Sequence, residues 1–73
     1  MNQEYAVIFE QDDRGLWGAS VPDLPGCHSS GPSLELVTER IREAIEGHIE
    51  TLRELGEPVP KSSHHVQMVR ISA

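Results

Sequence analysis

The chain holds one cysteine, Cys27, and one lysine, Lys61, among its 73 residues. A single cysteine excludes an internal disulfide. That matters at this size, because so short a domain buries only about 60% of its unfolded surface. Small scaffolds compensate with disulfides, a metal or self-association. The pairs Cys27-His28 and His64-His65 match no strong zinc spacing, so no metal site is expected and Cys27 reads as a small packed hydrophobe. Basic residues are scarce: Lys61 and five arginines stand against twelve carboxylates, for a net charge of −6. Nucleic-acid binders carry a basic patch, so direct binding of DNA or RNA is not expected. Acidity either keeps a small protein soluble or draws in a basic partner. No apolar run reaches signal-peptide or membrane length, and Met1 is followed by polar residues. A cytoplasmic protein with no membrane association is the expectation.

What is present is best seen at Val21-Pro22-Asp23-Leu24-Pro25-Gly26-Cys27. Each proline holds φ near −65°, and the glycine admits positive φ. The run is therefore a stiff turn, expected to expose Asp23 and Leu24. Before it, residues 4–11 alternate, with Tyr5, Val7 and Phe9 on one side and Ala6, Ile8 and Glu10 on the other. This is a strand pattern. Asp12-Asp13-Arg14-Gly15 reads as a reversal, and residues 16–21 as a second strand with Trp17, Ala19 and Val21 on one face. Residues 27–30 read as a candidate short third strand.

Residues 33–55 read as a helix. Ser33 is placed to cap it, and Gly56 stands at the C′ position with Pro58 and Pro60 beyond. Leu34, Val37, Ile41, Ala44, Ile45, His48, Leu52 and Leu55 recur at steps of three and four, giving one apolar stripe over about 34 Å. Glu35, Glu39, Glu43, Glu46, Glu50 and Glu54 occupy the opposite face. Their i,i+4 repulsions are expected to be partly offset by Glu39–Arg42 and Glu50–Arg53. The acidic face is either solvated or a surface for a basic partner.

Val66, Met68, Val69 and Ile71 read as a last strand, apolar on both alternating sets and so buried on both faces. If it lies parallel to the first strand, the helix is a right-handed crossover. The expected order is β-β-β-α-β, one α+β domain over residues 1–73. One helix covers one sheet face. Ile8 opposite Val7, and Leu16 opposite Trp17, put apolar residues on the other, so a homodimer or higher homo-oligomer is expected.

The combination of Tyr5-x-Val7-Ile8-Phe9-Glu10, the 21–27 loop, the helix start Ser30-Gly31-Pro32-Ser33, Arg42-Glu43-Ala44-Ile45-Glu46 and Gly56-Glu57-Pro58-Val59-Pro60 resembles the HicB-like antitoxins. The resemblance covers residues 5–60. It implies a partial ribonuclease H-like sheet with one helix packed on one face. It also implies a function: binding and masking a small basic messenger-RNA-cleaving toxin of the HicA type. Many such proteins add a C-terminal DNA-binding segment. This chain reaches Ala73 without one, so autorepression is not expected. Two further departures are Leu36, where the family commonly places a capping-box Glu, and Gly18 within a strand.

The implied fold raises the question of nuclease chemistry. Two-metal cleavage needs carboxylates converging about 3.5–4 Å apart, drawn in such enzymes from the first strand, the helix and the last strand. The first strand offers only Glu10, near its end, and residues 66–71 hold no carboxylate. Ser29, Ser30, Ser62 and Ser63 lack a His–acid arrangement that marks a nucleophile. No Gly-rich phosphate loop is present. The expectation is a protein with no catalytic residues and no cofactor. Glu10, Asp12, Asp23 and Leu24 are the candidate partner-binding residues, with the helix glutamates as support. The alternative is an orphan, self-assembling relative or small-ligand binder with no toxin.

Overall fold

A computed structural model describes residues 3–72. Met1, Asn2 and Ala73, the ends of the expected domain, lie outside the described residues. Three strands, β1 (Ile8–Gln11), β2 (Trp17–Ser20) and β3 (His28–Gly31), form an antiparallel sheet in the order β1-β2-β3, followed by one helix, α1 (Leu34–Glu54). The architecture is α+β with the helix on one sheet face, as expected. Register pairs Phe9 with Ala19 and Gln11 with Trp17, so the odd-numbered side chains of both strands share the helix side. Ala19, Val21, Leu24, Cys27, Val37 and Ile41 form the buried core, flanked by Tyr5, Val7, Phe9, Trp17, Ala44 and Ile45.

The paired part of the first strand is shorter than its alternation suggests. Ile8 is opposite Ser20, and beyond Ser20 the chain turns away at Val21. Residues 5–7 lie outside the paired strand. The hairpin closes with the Asp12 amide donating to the Leu16 carbonyl at 2.9 Å and the Gly15 amide to the Asp12 carbonyl at 3.1 Å.

The helix begins and ends where its local chemistry dictates. The Ser33 hydroxyl accepts from the Leu36 amide at 3.1 Å. At the far end Gly56 takes φ 72°, its amide donates to Arg53, and the Glu57 amide donates to Leu52 at 2.9 Å. This pair of bonds is the Schellman arrangement. The helix has 21 residues, about 31 Å, and four-residue strands cannot cover it. It packs on β2 and β3 and not on β1. Leu34 and Leu55, at the two ends of the stripe, are therefore exposed.

The expected last strand is absent from the sheet. Residues 57–72 carry no strand pairing, and Val66, Met68, Val69 and Ile71 are 69–94% exposed. Strand propensity is present in that segment, but a strand also needs an edge to pair with, and the tail meets none within the described chain. On the other sheet face alternation places Ile8, Glu10, Ser20, His28 and Ser30, with Leu16 just ahead of β2; all are exposed, Ile8 and Leu16 among them as expected.

Candidate partner-binding site

The 21–27 loop is two successive β-turns. The Leu24 amide donates to the Val21 carbonyl at 3.1 Å, and the Cys27 amide to the Leu24 carbonyl at 3.0 Å. Pro22 and Pro25 each occupy the second position, where their fixed φ belongs. Gly26, at φ 84°, supplies the positive φ that a type II second turn requires. The Val21 amide bonds to the Cys27 carbonyl at 3.2 Å and closes the loop.

This geometry corrects the expected exposure of Asp23 and Leu24. Leu24, the residue shared by both turns, is fully buried in the core. Asp23 is buried and faces the C-terminal tail. Its Oδ1 accepts from the Ser63 hydroxyl at 2.6 Å and meets His64 Nδ1 at 2.9 Å, while Oδ2 accepts from the Ser63 amide at 3.2 Å. A second tie sits nearby: the Tyr5 hydroxyl donates to the Pro60 carbonyl at 2.6 Å. Together they latch the start of the tail to the body.

The Ser63 hydroxyl bond, against an opposing burial effect, holds the Asp23 carboxyl below its ordinary pKa, with the Ser63 amide and His64 adding to it. A depressed carboxylate contributes stability above its unfolded pKa, and that stability is lost as pH falls through the folded value. Protection of the Ser63 and His64 amides, relative to their free-peptide exchange rates, should therefore be unchanged from neutrality to about pH 5 and fall only below about 3.9. Asp23→Ala should release the tail at every pH, and Asp23→Asn should remove the acid-side change. Release of the tail by His64→Ala but not by Asp23→Asn would instead assign the latch to His64.

Glu10 and Asp12 are exposed as expected. They line one hollow of about 430 Å³ with Gln11, Leu16, Trp17, Gly18 and Ser30. Glu10 lies across from Gly18, which in turn faces Ser30 on β3, so the floor has no central side chain. Asp12 Oδ1 accepts from the Arg14 and Leu16 amides, both at 2.9 Å, which shapes the turn. Ile8 on β1 and Leu16, just ahead of β2, are each about half exposed and supply apolar surface beside the hollow.

The helix glutamates are also exposed, but on the side of the molecule away from this face. The expected Glu39–Arg42 and Glu50–Arg53 pairs do not close. Among the described residues the one ion-pair contact is His64–Asp23, and Arg42 and Arg53 instead line a groove beside the helix. Burial pushes the Cys27 thiol up, and its neighbour His28 is exposed. Among the described residues no three His, Cys, Asp or Glu side chains gather as a metal site. No helix among them is long and apolar enough to cross a membrane.

This sheet-and-helix arrangement is that of a known antitoxin domain. The crystal structure of the N-terminal domain of the Burkholderia pseudomallei antitoxin HicB matches with a TM-score of 0.72 and 44% identity, over 80% of this chain and 69% of that one. The family model for HicB-like antitoxins of bacterial toxin-antitoxin systems matches residues 5–72, and the chain belongs to that family. A UPF0150 protein of Synechocystis is 40% identical over 67 residues, 92% of this chain and 85% of that protein. Another UPF0150 protein, from Archaeoglobus fulgidus, is 43% identical over 47 residues, 64% of this chain and 68% of that protein.

Proposed function

We propose that this chain, as a single HicB-like domain in the cytoplasm, binds a small basic HicA-type messenger-RNA-cleaving toxin and masks it by steric occlusion. The observation that carries the reading is the uncovered sheet face, where Glu10 and Asp12 share a hollow beside Leu16. A surface of carboxylates and apolar side chains suits a basic partner, since opposite charge speeds encounter and apolar contact slows release. Occlusion needs no catalytic group and no cofactor. Asp23 and Leu24 act behind this surface by fixing the loop and the tail. The chain works as a homodimer or higher homo-oligomer.

The test is co-expression with the product of an adjacent small basic reading frame, followed by kinetics at low and raised salt. Glu10→Lys should lower the association rate by about tenfold or more at low salt, while Glu50→Lys leaves it nearly unchanged. The reverse ranking would move the interface to the helix. A pair that fails to associate at low salt would overturn the toxin reading and leave the self-assembling alternative, which the exposed apolar tail favours.

A further inference from the structure

The chain carries an unfilled strand site and an unplaced strand. The helix packs on β2 and β3 alone, so the flank beside β1 is open. A groove of about 820 Å³ runs there, lined by Tyr5, Ile41, Ile45 and Ile49 among others. Gln3 and Tyr5, just ahead of β1, border it, and β1 is an edge strand whose outer backbone donors and acceptors no neighbouring strand satisfies. The other sheet edge is partly closed, because the Arg40 guanidinium donates to the Ser30 carbonyl of β3 at 2.9 Å.

The tail has the matching chemistry. Val66 and Met68 alternate on one set, Val69 and Ile71 on the other, and all four are largely exposed. A strand lying along β1 would turn one set into the groove and the other toward Ile8 on the open face. Extended, residues 65–72 reach about 26 Å and residues 5–11 span about 23 Å. The tail brings Arg70 and no carboxylate to a rim that holds Glu46 and Glu50 beside Arg42 and Arg53. The chain's own tail is latched by Asp23 at Ser63, and none of residues 65–72 lines the groove.

We propose that two copies of this chain exchange tails, each laying residues 65–72 along the β1 edge and over the Ile41–Ile45–Ile49 groove of the other. Reciprocal exchange fills both sites and covers both tails in a closed two-fold pair. A foreign strand would fill the groove and leave the tail in water. The inference rests on the self-association in the reading above and is independent of the toxin.

Light scattering of the full chain at micromolar concentration should give twice the mass of one chain, with slowed amide exchange in residues 65–72 and on β1. Val69→Pro removes a ladder donor while keeping the residue apolar, and should give a monomer with unchanged helix content. Ile49→Lys, which blocks the groove and leaves the tail intact, should do the same. Mixing the two variants should restore association, because each supplies what the other lacks. A monomeric wild-type chain with an unprotected tail would overturn self-association altogether. A monomer with a protected tail would place the strand within its own chain. A dimer that survives both substitutions would overturn the exchange while leaving self-association intact.

Discussion

Leu24→Ala is expected to lower the unfolding free energy by about 2–5 kcal/mol, the range for truncating a buried leucine. The side chain is fully buried at the junction of two turns, and the prolines on either side leave the loop little freedom to collapse into the vacated space. A domain of this length has roughly 4–11 kcal/mol in total, so the loss removes a large share of it. Urea denaturation should show the midpoint moving sharply with the slope kept. Thermal melting should fall by at least about 10 °C. Leu24→Met conserves volume and should cost less than about 1.5 kcal/mol. Toxin association should follow the stability of these variants. Loss of association in a fully folded Leu24→Met protein would make Leu24 a contact residue after all.

Ile41→Ala should have an effect of the same order, about 2–5 kcal/mol, because Ile41 is the point at which the helix enters the core and is 3% exposed. Ile49, two turns further on, offers the contrast. It lies half-buried in the open groove, and burial stabilises in proportion to apolar area removed from water. In the Val69→Pro background Ile49→Ala should cost about 1 kcal/mol or less. In the wild-type background its cost should rise, and should rise further with protein concentration, since assembly and stability are then linked. Equal effects of Ile49→Ala in the two backgrounds would show that nothing packs on the groove.

Elements whose causes lie within a few residues could be read directly from the sequence. The Ser33 cap bonds three residues ahead, and the Gly56 stop bonds three residues back. The hairpin follows from alternation on both sides of a short Asp/Gly reversal. The 21–27 loop was recognisable as stiff for the same reason. Its outward or inward sense was not. In two consecutive turns a side chain's direction depends on how the second turn folds onto the sheet, and Leu24 points into the core as a result. Asp23 looked like a free turn acid because its partners are forty residues away, beyond any local pattern. Glu10 lies on the face opposite Phe9, where a strand's alternation sends it.

The tail divides the two kinds of information most clearly. Its composition, apolar on both alternating sets, is a property of the residues and calls for burial on both sides. Whether it becomes a strand depends on a second backbone edge, which no residue in the tail supplies. The sequence by itself determined the helix with its ends, the hairpin, the stiff loop and the acidic character, because short-range hydrogen bonds, fixed φ and side-chain periodicity act along the chain. Only the tertiary structure decided that Leu24 is core, that Asp23 holds the tail, that Glu10 and Asp12 share a hollow, and that the flank of β1 is vacant. Those outcomes arise from contacts between segments brought together by packing, and packing depends on all of them at once.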